Sequence, residues 1–268
     1  MTFLRDFLLI LKAEIKRDFI FMKRYPLEPV SFIFFMYLIL LAILFGFHQL
    51  AGATSGVINR EKMILGYSLM QFVLSTQMGW SGQIQNESQT GTLEQLSISG
   101  HTLGEVLLAR GFSQLPRQIV SFYLLMMAYT FSLSDLKIDL LNSIPNVVLN
   151  LFIMAIGIFG LSYIFAGITL IFKRVGFFFQ IINFAFLGLF WQDRGSLTQG
   201  GIMAFIYDHF PLTMGMASLQ NSLNPGSSIL EVNSFEFLVH SIVFCIPGYL
   251  IFSLMEKKAR DGGLLSQY

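Results

Sequence analysis

Asn86-Glu87-Ser88-Gln89-Thr90-Gly91-Thr92-Leu93-Glu94-Gln95-Leu96-Ser97-Ile98-Ser99-Gly100 is a polar island between two long apolar segments. Its local chemistry predicts a short helix with a defined start. Thr92 is placed to act as N-cap, and Gln95 three residues on can return the bond, as in a capping box. Glu94 falls in the first turn, where the positive end of the helix dipole favours an acid. Gly100 supplies a stop, because glycine readily takes the left-handed conformation that ends helices. Leu93 and Leu96 share one side and give the helix an apolar foot. The plainer alternative is a solvated loop with one helical turn.

What surrounds the island makes it unusual. Of 268 residues, 54% are hydrophobic and 12% charged, whereas soluble domains carry roughly a quarter charged residues. That is a membrane composition, and with the helical segments that follow the expected fold is an all-α membrane protein. Phe occurs 29 times, which suits lipid-facing and interfacial surfaces. A net charge of +1 creates no bulk field that would favour nucleic acid. The single Cys245 excludes an intramolecular disulfide and a thiolate metal cluster, and within its apolar run it reads as a small packing residue. Charges interrupt the first apolar stretch throughout, so no cleavable secretory signal is expected.

That first stretch, residues 3–24, has a helical period. Leu4, Leu8, Leu11, Ile15, Phe19 and Met22 form one stripe at about 100° per residue. Arg5, Lys12, Lys16 and Lys23 form a second stripe roughly a quarter-turn away. Such a helix suits the membrane interface, with apolar groups among acyl chains and basic groups reaching phosphates; a coiled-coil strand is the alternative. Pro26 and Pro29 are expected to break it and turn the chain.

Six apolar segments follow, at about 30–47, 63–81, 115–133, 144–172, 175–191 and 235–255, each near the roughly 20 residues a membrane-crossing helix needs. The second carries Tyr67, Ser68, Gln71, Ser75, Thr76 and Gln77. Polar groups at that depth either hydrogen-bond neighbouring helices or line a path. Between 104 and 133, residues 104–114 read as a cytosolic or interfacial lead-in, with Arg117 snorkelling to headgroups at the start of the embedded part. Gly157, Gly160 and Gly167 in the fourth segment either allow close helix approach or mark bends. Residues 192–234 form the one long segment that does not span. If both termini, 86–117 and the 173–174 turn are cytosolic, 13 of the 17 Lys and Arg lie inside, as the positive-inside rule favours.

Glu87-x-x-x-Gly91-Thr92-Leu93-Glu94-x-Leu96 resembles the cytosolic signature of type 2 ABC exporter permeases, the membrane subunits of transporters driven by a separate ATPase. The family follows this motif with Ser-Pro where this chain has Ser99-Gly100. The stretch 210–219, Phe-Pro-Leu-Thr-Met-Gly-Met-Ala-Ser-Leu, likewise resembles the family's Pro-Leu-Thr segment after the fifth span, although the Arg usual beyond it is absent and Gln220 stands in that area. The resemblance covers essentially the whole chain. It implies an N-terminal elbow helix, six transmembrane helices, a coupling helix at 87–100 that docks on the ATPase, and short outer-side re-entrant helices in 192–234. It also implies a multi-pass protein of the plasma (inner) membrane, working as a dimer with a second copy or a related permease and with two ATPase subunits.

On that resemblance Glu87, Gly91, Thr92, Leu93, Glu94 and Leu96 carry the coupling, with Leu93 and Leu96 as the contact and Glu87 bracing the segment against its own subunit, Arg110 being a candidate partner. Tyr67, Gln71 and Phe178 are candidate path-lining residues. A lipid-like, drug or peptide substrate is expected, since the first span is wholly apolar. A polysaccharide or teichoic-polymer exporter is the alternative, and an ATP-independent secondary transporter a more distant one, since neither a charged midplane span nor an inverted repeat is evident.

Enzymatic signatures are missing. No Gly-x-x-x-x-Gly-Lys-Ser/Thr loop occurs, so ATP and magnesium are expected on the partner and no cofactor in this chain. His48, His101, His209 and His240 lack metal-ligand spacing, and no nucleophile elbow or Ser-x-x-Lys pair is found. A transport subunit without catalytic residues is the expectation.

Overall fold

The structure, a computed structural model, describes residues 2–50, 60–98, 100–132, 143–173, 175–191, 197, 201–223 and 232–263. Their regular structure is entirely helical, with no strand among them. The helices are α1 (Thr2–Arg24), α2 (Leu27–Leu50), α3 (Arg60–Gln89), α4 (Thr92–Ile98) and α5 (Leu103–Ser132), followed by α6 (Ile144–Phe172), α7 (Gly176–Trp191), α8 (Ile202–His209), α9 (Pro211–Ser222) and α10 (Val232–Asp261).

Three of them are long and apolar enough to cross a membrane: Leu27–Phe45, Ile144–Phe172 and Ser234–Asp261. Helices α3 and α5 have the length but are diluted by polar residues, and α7 is apolar but only 16 residues long.

At the centre stands α3, packed against α5, α6 and α7. Its residues from Met63 to Val73 are all buried, including Tyr67, Ser68 and Gln71. A helix surrounded on every side has no solvent face, which explains why its polar residues fall at no single angle. One of them is paired across helices: the Thr76 hydroxyl lies 2.9 Å from Gln118 Oε1 of α5.

The most extensive pairing is α6 with α10, and glycine makes it possible. A Cβ on Gly160 would come within 2.6 Å of the Phe244 carbonyl oxygen, and one on Gly248 would strike the Gly160 backbone itself. On Gly157 a Cβ would meet Pro211 at 2.6 Å, and on Gly167 the Met255 sulfur at 2.6 Å. Gly157, Gly160 and Gly167 therefore serve close approach, within one unbroken helix. Helix α9 begins at Pro211, a favoured first helical position, and docks on the first half of α6. There Asn150 Nδ2 donates to Ser222 Oγ at 2.5 Å and Ser218 Oγ donates to Asn150 Oδ1 at 2.6 Å.

Several expected boundaries shift. Residues 104–114 and 115–132 form one continuous helix through Pro116, so no break separates the expected lead-in from the expected span. Pro26 sits at the break between α1 and α2, but Pro29 lies inside the first turn of α2, where a missing N–H costs nothing because no carbonyl awaits it. Residues 192–234, expected as short outer-side helices, contain α8, α9 and the first residues of α10, while 192–196, 198–200 and 224–231 lie outside the described residues.

Large apolar side chains cover the outside of the bundle. Phe34, Phe35 and Phe45 on α2, Phe177, Phe178 and Phe184 on α7, and Val243, Leu250 and Leu254 on α10 are all exposed. A surface this apolar needs lipid or another protein against it.

Candidate functional site

The island of residues 86–100 lies at one end of the bundle, where α1, the last turn of α3, α4, the start of α5 and the end of α10 converge. Helix α3 runs on to Gln89, so Glu87 belongs to its last turn and not to a loop before a short helix. The chain then turns at Gly91, whose φ of +72° favours glycine. It enters α4 at Thr92 and passes Gly100 at φ +86°. The Thr92 hydroxyl reaches back to the Glu87 carbonyl oxygen at 3.4 Å and to Thr90 Oγ1 at 2.9 Å, tying the start of α4 to the end of α3.

Leu93 points inward. It is 2% exposed and joins the main apolar core, against which Leu96 also packs. The apolar foot predicted for contact with a partner instead anchors α4 to its own chain, because a short helix flanked by glycines has little else to fix it. Gly91, Thr92, Gln95 and Gly100 remain exposed. Glu94 lies in α4, and its side chain falls outside what is described.

Beneath α4 lies a buried ion cluster. Arg110 of α5 is 4% exposed. Its Nη2 is 2.6 Å from Glu87 Oε1 and its Nε 3.0 Å from Glu14 Oε1 of α1. Arg17 Nη2 reaches the other Glu14 oxygen at 2.7 Å, and the Ser113 hydroxyl donates to Asp18 Oδ2 at 3.0 Å. The carboxylates of Glu87 and Glu14 offset the cost of burying the Arg110 guanidinium. The cation is thus locked between two acids from different helices. The pairing of Glu87 with Arg110 is the one suggested by sequence. Glu14 and Asp18 were not singled out there, although their i, i+4 spacing places them on one face.

A second tie closes α10 onto α5. The backbone N–H of Leu103 donates to Glu256 Oε1 at 3.3 Å, and Arg260 Nη2 lies 2.9 Å from the same oxygen. The acid satisfies an N-terminal donor of α5 that the helix itself leaves free. Close by, the Tyr163 hydroxyl donates to the Gly104 carbonyl at 2.9 Å. Tyr163 also meets Trp80, Tyr249 and Phe252 at ring separations of 4.9, 5.3 and 5.4 Å. Trp80 stacks on Phe159 at 5.2 Å, and Gly111 admits both rings beside α5. Aromatic packing therefore continues from the ion cluster into the middle of the bundle.

The remaining predicted residues separate. Arg5, Lys12, Lys16 and Lys23 are exposed on the face of α1 turned away from the bundle, beside exposed Leu8, Ile15 and Phe19. The Tyr67 hydroxyl lies 3.5 Å from the Met36 sulfur of α2. Gln71 lines a cleft that contains neither Tyr67 nor Phe178, and Phe178 is exposed on α7. Among the described residues no group of His, Cys, Asp and Glu is arranged to hold a metal ion.

The class that fold and surface define is an all-helical protein with helices fit to cross a membrane. No protein-family model, curated protein or solved structure matches the chain.

Proposed function

We propose that this chain is the membrane permease subunit of an ATP-driven exporter of the type 2 ABC class, with α2, α3, α5, α6, α7 and α10 as its six spans. The observation that carries the reading is the placement of the signature stretch. Residues 87–96 resemble the family motif; within them the last turn of α3, braced by the Glu87–Arg110 pair, turns at Gly91 into the short helix α4 at the end of the bundle.

A helix that transmits force must be exposed on one side and rigidly held on the other. Thr92 and Gln95 provide the exposed side; Leu93, Glu87 and Arg110 provide the hold. Closure of two ATPase subunits would press on α4. The push would pass through the ion cluster to α1 and α5, and through Trp80 and Tyr163 to α6 and α10. The substrate would be lipid-like, a drug or a peptide, moved along the interface of a permease dimer in the plasma membrane.

Positive charge supports a cytosolic position for this end. Arg5, Lys12, Lys16, Lys23, Lys257, Lys258 and Arg260 all belong to the elements that converge there.

The test is affinity purification of the tagged chain from its native membrane, followed by mass spectrometry. A stoichiometric ATPase carrying a phosphate loop is expected, together with ATP hydrolysis by the complex. A chain that purifies without an ATPase and transports when reconstituted alone would establish a secondary transporter instead.

A further inference from the structure

A cleft of about 250 Å³ opens where the last turn of α1 and the first turns of α2 meet α3 and α5. Aromatic rings, Phe32 and Phe122 among them, form its apolar walls. Its polar lining contrasts with the ion cluster around Arg110. Arg110, two turns earlier on α5, is matched by two carboxylates. Arg117 is half-buried in the cleft with no ion pair or hydrogen bond among the described residues, and the Glu28 carboxylate, which also lines it, has none either. On the α3 wall the Ser68 hydroxyl is completely buried and has no partner. A cation, an exposed anion and a buried hydroxyl thus line one apolar-walled recess, and none of them has a partner among the described residues.

We propose that this cleft binds the headgroup of a primary-amine phospholipid, a phosphoethanolamine lipid, with its phosphate on Arg117 and its ammonium on Glu28. A guanidinium offers a planar fork of donors that fits a phosphate. An ammonium carries three N–H donors for a carboxylate. A purely anionic headgroup would satisfy Arg117 but leave Glu28 facing like charge, and a choline group brings Glu28 no N–H donor. The aromatic walls accept the first segments of the acyl chains. The location suits a lipid, because α2 is a membrane-crossing candidate and α1 presents its exposed apolar and basic face beside it. The inference rests on the membrane character of the chain and not on coupling to an ATPase.

The experiment uses the full chain, purified in detergent and stripped of lipid. Phosphatidylethanolamine, phosphatidylcholine and phosphatidylglycerol with identical acyl chains are added back separately. Phosphatidylethanolamine is expected to raise the unfolding midpoint by roughly 5 °C more than either other lipid, and to survive as a one-to-one adduct in native mass spectrometry. Arg117→Gln and Glu28→Gln should each abolish that difference, and Glu28→Gln should shift preference toward phosphatidylglycerol. Equal responses to the three lipids, no response to any, a phosphatidylglycerol preference in the unaltered chain, or a phosphatidylethanolamine preference that survives both substitutions would each overturn the proposal. Co-purification of an ATPase is scored separately, so either reading can fail alone.

Discussion

The guanidinium of Arg110 lies 2.6 Å from the carboxylate of Glu87 and closes α5 onto the last turn of α3, directly below the short helix α4. Because Glu14 holds the same guanidinium from the opposite side, three helices meet at one buried cation. A buried cation with two acids is tightly bound, but its loss leaves the acids stranded in a low-dielectric setting.

Arg110→Gln should therefore destabilise the chain by about 3–5 kcal/mol, the usual cost of breaking a buried pair from one side. Glu87→Gln should cost less, since Glu14 still holds Arg110. Thermal unfolding in detergent measures both. If the two variants melt together, the cluster does not organise this end of the bundle.

Leu93→Ala should loosen α4 locally, at a cost of about 2–5 kcal/mol for a buried leucine. Amide hydrogen exchange over 92–98 should rise sharply. Gln95→Ala should leave exchange unchanged and, if α4 is the docking surface, should reduce ATPase co-purification. Unaltered exchange in Leu93→Ala would show that glycine geometry alone positions the helix.

Close approach of α6 and α10 predicts that Gly160→Val and Gly248→Val abolish folded protein, because the added atoms meet backbone and have no flexible side chain to displace. Gly188→Val on α7, where a Cβ would meet nothing within 4 Å, is the control. Monodispersity in size-exclusion chromatography reads the outcome.

Sidedness can be tested with single cysteines in a Cys245→Ser background. Ser88 is buried and would label poorly, so exposed Gln95 takes its place, with exposed Ile202 of α8 for the opposite end. An impermeant thiol reagent applied to intact cells should modify Ile202→Cys and spare Gln95→Cys. The reverse pattern would invert the topology and remove α4 from the cytosol.

Replacing Arg5, Lys12, Lys16 and Lys23 together by Glu should weaken interfacial binding of α1, by about 1 kcal/mol for each basic group lost near anionic lipid. Accessibility of α1 to protease in inverted vesicles would increase. Unchanged protection would mean that Glu14, Asp18 and their partners alone hold α1 in place.

The sequence by itself determined the class and much of the plan. Low charge and long apolar runs fix a helical membrane character, because backbone polar groups in lipid must be satisfied within each segment. Gly157, Gly160 and Gly167 were legible as contact positions or bends, and Glu87 pointed to Arg110. What only the tertiary structure decided was direction. Helix α1 carries apolar and basic stripes and the acidic pair Glu14 and Asp18, and its period alone does not say which faces protein; Arg110 and Ser113 hold Glu14 and Asp18 inward and leave the lysines outside. The motif likewise makes α4 amphipathic without saying what its leucines touch, and packing turned Leu93 into the core. The unmatched charges of Arg117 and Glu28 emerged only when α1, α2, α3 and α5 were assembled, because each residue reads alone as an ordinary interfacial charge. Periodicity reports that a side chain has a preferred environment, and the neighbours supplied by distant helices decide what that environment is.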